Sequence, residues 1–141
     1  VTLSDKWAGG MQTFHGYQTH GFPNCFFMGV TQGGFTANFP HMLNEQSLHI
    51  AYIIEHARRN GVQRIEPTQA AEDEWVDTIE RMAVFNQRFL QECTPGYYNN
   101  EGHPEGGNSL LGSQYGGGPE AFFKILRDWR DEGTLRGLEL L

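Results

Sequence analysis

At 141 residues, with 38% hydrophobic and 19% charged, the chain has the composition of a globular protein and enough material for one core. A formal net charge of -7, with only 10 Lys and Arg scattered along the sequence, excludes a general nucleic-acid surface, which needs clustered cations. There is no signal peptide and no apolar run near the roughly 20 residues that span a bilayer, so no membrane partner is expected; the 2 cysteines form no metal spacing and fit reduced thiols in a cytoplasm. The opening Val1 and the late arrival of the first well-patterned strand suggest a fragment of a longer protein.

Residues 1–23 read as loop and short strand, broken by Gly9, Gly10, Gly16, Gly21 and Pro23, with Trp7 as the bulky anchor. Asn24 to Met28 is a short continuous apolar run, the pattern of a strand buried on both faces. The turn from Gly29 to Asn38 is small and polar. Pro40 then sits where a first helical turn tolerates a missing N–H. From Phe39 to Arg59, Leu43, Gln46, Ile50, Ile53, Ile54 and Ala57 predict a helix with one buried stripe, Gln46 being its polar exception, ending at Asn60-Gly61.

After Pro67 a second helix is predicted. Thr68 caps it, Glu72 to Glu74 occupy its first turns as a solvated acidic patch, and Trp75, Ile79, Met82, Phe85 and Phe89 form its apolar face. Residues 94–118 hold too many glycines and prolines for a long regular element, and loops of that length are commonly functional or disordered. A last helix follows Gly118-Pro119, with Phe122, Ile125, Leu126 and Trp129 on one face, giving way at Gly133 to an irregular tail.

A strand, a glycine-containing turn and a helix in succession aim backbone N–H groups and a positive helix end at an anion or an electron-rich ring edge. Gly33 and Gly34 would let a ligand approach the backbone closely. The residues alone leave open whether this is a pocket or a tight turn, since the chain contains no G-x-G-x-x-G. His41, Glu45, His49 and His56 recur along one helix, but a single helix cannot converge such ligands on one tetrahedral ion, so no metal site is expected. Ser47, Ser109 and Ser113 lack an elbow motif, which disfavours a hydrolase.

Leu3-Ser-Asp-Lys-Trp7, Thr13, Gly16, Gly21-Phe-Pro-Asn24 and the apolar run ending at Gly29, read in order, resemble the closing segment of the flavin domain in Baeyer-Villiger monooxygenases. Those enzymes carry a stretch of the type G-F-P-N-L-F-F, with Cys25 here in the leucine-like position. Gln32-Gly-Gly-Phe-Thr-Ala-Asn-Phe-Pro-His41, Glu45-Gln46 and Glu92-Cys-Thr-Pro-Gly-Tyr-Tyr-Asn-Asn-Glu-Gly102 are similar to the branch acting on bulky or cyclic ketones.

The resemblance implies an α/β fold: the C-terminal part of a flavoprotein with two dinucleotide-binding domains, mostly helices and long loops with one buried strand. Residues 1–62 would end the FAD-binding domain, and residues 63–141 would form a helical, loop-rich region closing over the active site. It further implies an enzyme in which FAD, reduced by NADPH, captures O2 as a peroxyflavin and inserts one oxygen into a ketone, giving an ester or lactone. Gly29, Thr31, Gln32, Thr36, Ala37, Asn38 and Phe39 would line the flavin. Phe35, Tyr97, Tyr98, Asn99 and Asn100 would meet substrate or nicotinamide. Both nucleotide fingerprints and the family's peroxyflavin-holding arginine fall outside these residues, so no catalytic residue is assigned here. The upstream FAD and NADP domains of the same protein are the expected partners, and the segment by itself is expected to be inactive. The rival readings are a non-catalytic interaction module derived from such an enzyme, and the related N-hydroxylating flavin monooxygenases.

Overall fold

The computed structural model describes residues 1–82, 92, 94–96, 101–102 and 114–141. A single helical turn, α1 (Leu3–Lys6), opens the chain in place of plain loop; Thr2 and Asp5 close it with a capping box. Residues 7–38 run without regular structure apart from a bridge between Phe14 and Gln18. The helix α2 (Phe39–Asn60) then follows, capped by Asn38 and stopped by Gly61 in the left-handed conformation at φ 66°. A short strand β1 (Ile65–Pro67) leads into α3 (Gln69–Met82), where Thr68 Oγ1 accepts from the Ala71 N–H at 3.1 Å. The helix α4 (Pro119–Glu132) ends at Gly133, and β2 (Leu138–Leu140) returns antiparallel to β1 with Ile65 opposite Leu140.

Two expectations are corrected by this architecture. Asn24 to Met28 is not a strand. Its backbone bonds form no ladder: Cys25 N–H donates to Phe22 and Phe27 N–H to Tyr17, both in irregular chain, and only Asn24 N–H reaches a strand residue, Ile65 of β1. Met28 is 51% exposed and Cys25, Phe26 and Phe27 are only half-buried, so the apolar run covers a loop instead of filling a sheet. The buried strand is β1, all three of whose residues are buried, and its partner β2 lies in what reads as an irregular tail.

The buried face of α2 is also rotated from the expected one. Met42, Gln46, His49, Ile53 and Ala57 point inward, while Leu43 and Ile50 are half-buried and Ile54 is 48% exposed. On α3, Trp75 and Ile79 are buried as expected, whereas Met82 is exposed; Phe85 and Phe89 lie outside the described residues.

The core has two parts. Tyr17, Met42, Trp75, Ile79, Phe122, Phe123 and Leu126 pack behind the start of α2, and Ile53, Ala57, Ile65, Trp129 and Leu135 pack behind its end. Phe14 packs against both. Glu72, expected in solvent, is 0% exposed and ties α1 and the loop at Thr19-His20 to α3. A second buried carboxylate, Glu66 on β1, accepts from the Gly21 N–H at 2.9 Å and from Arg64 at 2.6 Å. The two acids together hold an irregular segment that has few backbone partners of its own.

Candidate functional site

The turn from Gly29 to Asn38 is held from its inner side by several parts of the chain. At its start, Gln46 Oε1 accepts from the Gly29 N–H at 3.2 Å while Gln46 Nε2 donates to the Gly29 carbonyl at 2.6 Å. A side-chain amide carries the same donor and acceptor as a peptide, so Gln46 stands in for the missing strand neighbour. That accounts for the polar position in the buried face of α2.

Gln32, in the left-handed region at φ 53°, is the second anchor. Its Oε1 accepts from the Thr13 N–H at 2.8 Å and from the Thr13 hydroxyl, and its Nε2 donates to the Met11 carbonyl at 2.7 Å. Trp75 Nε1 donates to the Gln32 carbonyl at 3.0 Å, and the Tyr115 N–H donates to the Gly33 carbonyl at 3.1 Å. Gly33 and Gly34 do permit a close approach, but the group that approaches is the Phe122 ring. A Cβ on Gly34 would stand 2.7 Å from Phe122 Cδ1, and one on Gly33 would stand 3.5 Å from Phe122 Cζ. At Gly34 the close approach is therefore the ring's and not a ligand's, and packing against α4 requires the glycine, whereas a Cβ at Gly33 would make only ordinary contact with the ring.

The outer side is different. Gly29, Thr31, Phe35 and Thr36 are half-buried, and Ala37, Asn38 and Phe39 are exposed. Thr36 Oγ1 accepts from the Asn38 N–H, and Asn38 Oδ1 accepts from the His41 N–H, each at 3.2 Å. Pro40 has no N–H, no described residue accepts from the Phe39 N–H, and the first turn of α2 carries no acid. Among the described residues, the positive end of this 22-residue helix is thus left at the surface with no acid in its first turn. Among the residues expected at a cofactor, Gln32 alone has its side chain committed inward. Tyr97, Tyr98, Asn99 and Asn100 lie outside the described residues.

Behind the turn sits an aromatic nest with two buried histidines. His15 stacks on Phe14 at 3.9 Å and meets the edge of Trp75 at 4.9 Å; His49 lies 5.2 Å from Tyr17 and 5.1 Å from Trp129, with Arg130 NH1 3.4 Å from its Nδ1. The α2 histidines are dispersed: His41 is exposed against Phe123, His49 is buried and His56 half-buried. Among the described residues no group of three or more His, Cys, Asp or Glu is placed to hold a metal ion. Burial, reinforced by Arg136, holds His15 down at about 3; burial, then His15 and Arg130, holds His49 down at about 2. Burial likewise raises the Tyr17 hydroxyl.

Both histidines stay neutral in the fold while an unfolded chain takes up protons near 6.5. The resulting stability is fully present above that pH and is lost as pH falls towards 3, by about 1.4 kcal/mol per pH unit for each histidine. Urea midpoints should therefore drop between pH 7 and pH 5, and His49→Gln should remove roughly half of the drop. An unchanged slope in that variant would exclude the pair as its source.

Nothing in the local pattern marks Trp75 or Tyr115 as supports of this turn, because Trp75 reaches a carbonyl 43 residues away and Tyr115 reaches the next one. The paired glycines were the available signal.

No family model matches the chain. It is 51% identical over 140 residues to a pentalenolactone D synthase of Streptomyces arenae, covering 99% of this chain and 24% of that protein. It is 40% identical over 133 residues to a Baeyer-Villiger monooxygenase of Streptomyces coelicolor, covering 94% and 21%. In fold it matches the polycyclic ketone monooxygenase from Thermothelomyces thermophila with a TM-score of 0.84 at 30% identity, covering 99% of this chain and 22% of that one. Other similar proteins are named FAD-binding monooxygenases, and similar solved structures include a cyclohexanone monooxygenase bound to NADP+. The chain spans about a quarter of the length of the curated relatives it matches. By sequence and by fold alike, this chain is similar along nearly its whole length to one segment of the Baeyer-Villiger monooxygenases.

Proposed function

We propose that the chain supplies one wall of the FAD pocket in an NADPH-dependent monooxygenase that inserts one atom of O2 into a ketone, giving an ester or lactone. The observation that carries this is the outward-facing start of α2, where Ala37, Asn38 and Phe39 are exposed on a turn whose inner side is fully braced. An uncompensated helix N-terminus favours the negative charge that gathers on a flavin ring when it is reduced, so these residues fit that group. FAD, when bound, supplies the electron and oxygen chemistry, and the chain supplies position.

Asn38 fixes the first turn of α2 through His41, Thr36 fixes Asn38, and Phe39 offers its free N–H and an exposed ring. In the same reading Gly29, Thr31 and Ala37 complete the wall, with Gln32 contributing backbone only. Phe35 lies towards substrate, and the segment Tyr97 to Asn100 serves nicotinamide and ketone. Residues 1–62 end the FAD domain, residues 63–141 close over the site, and the remaining FAD and NADP domains belong to the longer protein, in the cytoplasm. Among the described residues no helix is long and apolar enough to cross a membrane.

The longer protein, purified and scanned for visible flavin absorbance, should be yellow and should convert a cyclic ketone to a lactone with NADPH. A colourless preparation would sink the reading. Asn38→Ala should cost about 1 kcal/mol through the lost cap and lower ketone oxygenation more than NADPH oxidation. Equal loss of both would place Asn38 outside the pocket.

A further inference from the structure

We infer that Trp75 is a positioning residue for the flavin wall, acting through the carbonyl of Gln32; the inference rests on the flavin reading above. The turn changes direction at Gln32, a non-glycine residue at φ 53°, a conformation that side chains seldom adopt unless their surroundings fix it. Its side chain is fixed by Thr13 and Met11, and its backbone carbonyl is held, among the described residues, by the indole N–H of Trp75, on a helix reached from a different part of the chain.

Trp75 is itself held. It is 6% exposed, stacks on Tyr115 with ring centroids 5.7 Å apart at 15°, leans on Phe122 at 5.9 Å and receives His15 edge-on at 4.9 Å. Tyr115 and Phe122 in turn touch the next two residues of the turn, the first through its N–H to the Gly33 carbonyl and the second by van der Waals contact with Gly34. The aromatic cluster and the Tyr115 backbone therefore hold three consecutive residues, Gln32 to Gly34, ahead of Phe35, which packs on the same core, and of the outward wall at Thr36 to Phe39. A shift of the indole passes into that wall because the interior on both sides is packed and has no slack. An indole with its N–H aimed at one carbonyl exceeds what packing alone requires, since a phenyl ring would fill most of the same space.

Trp75→Phe in the longer protein separates the two roles, because it keeps a ring and removes the donor. The control is Ile65→Val, a buried change on β1 in the other part of the core. Three quantities are read: melting temperature, the visible circular dichroism of bound flavin, and the fraction of NADPH electrons recovered as hydrogen peroxide instead of lactone. Trp75→Phe is expected to alter the flavin dichroism and raise the peroxide fraction by roughly three- to tenfold, while Ile65→Val lowers only the melting temperature. If Trp75→Phe does not yield folded protein, Tyr115→Leu, which keeps the backbone donor and removes the stacking ring, should move the same two readouts in the same direction. Dichroism and peroxide fraction matching the control would overturn the positioning role and leave the flavin reading intact. An unmutated protein without flavin would overturn both.

Discussion

Replacing Glu72 with alanine is expected to destabilise the protein by about 3–5 kcal/mol, a large part of the stability of an ordinary domain. The Glu72 carboxylate is 0% exposed and lies 2.7 Å from Lys6 Nζ, with Thr19 Oγ1 and the His20 N–H each donating to Oε2 at 2.7 Å. Removing it leaves an ammonium whose side chain is only 14% exposed without its counter-charge and the half-buried His20 N–H without its acceptor, while the Thr19 hydroxyl keeps only the Gln12 carbonyl. Lys6 also donates to the His20 carbonyl at 2.6 Å, so one lost carboxylate loosens α1 and the loop at residues 19–21 together. Lys6→Met should cost less, because the carboxylate keeps its donors Thr19 Oγ1 and the His20 N–H. Urea unfolding of the two variants checks the order. A loss below about 1 kcal/mol for Glu72→Ala would mean that water replaces the carboxylate freely.

The second large effect is expected at Phe122. This ring is 0% exposed, packs among Tyr17, Trp75, Tyr115 and Phe123, and lies against both glycines of the turn. Phe122→Ala should cost about 3–5 kcal/mol, combining lost burial with a cavity that rigid neighbours cannot collapse. Gly34→Ala probes the same contact from the other side and should cost about 1–3 kcal/mol, since its Cβ would sit 2.7 Å from Cδ1 of the ring. The signature of direct contact is non-additivity. In the double variant the contacts with Cδ1 and Cγ are gone while the 2.9 Å contact with the Cβ of residue 122 stays, so the methyl's own cost should fall without vanishing. Additive losses, measured in a double-mutant cycle, would show that the turn and α4 do not press on each other.

The three long helices were legible in the chain because each carries its own punctuation. Asn38 and Pro40 start α2 and Gly61 ends it, Thr68 caps α3, and Pro119 and Gly133 bracket α4. The family resemblance was legible too, since it rests on ordered short motifs around Gly21 to Asn24 and Gln32 to His41, and the comparisons support it over nearly the full length. The outward wall at Thr36 to Phe39 follows from the same local signals, because a capped helix start is a property of neighbouring residues.

What the local pattern could not reveal were the partners that meet across long separations. An apolar run such as Asn24 to Met28 becomes a strand only if a neighbour offers a ladder, and here a single bond, from Asn24 to Ile65, reaches β1 while the others go to irregular chain. Leu138 to Leu140 reads as a tail yet pairs with β1, because β1 presents an open edge to it. Glu72 has the composition of solvent-facing surface and is buried, since Lys6, Thr19 and His20 converge on it from 52 or more residues away. The sequence by itself determined where helices begin and end and which family the segment is similar to. Only the tertiary structure decided that Gly34 makes room for Phe122, that Gln46 replaces a strand neighbour, and that the indole of Trp75 holds the turn. Each of these depends on a directional contact between groups far apart in sequence, and no periodicity encodes such contacts.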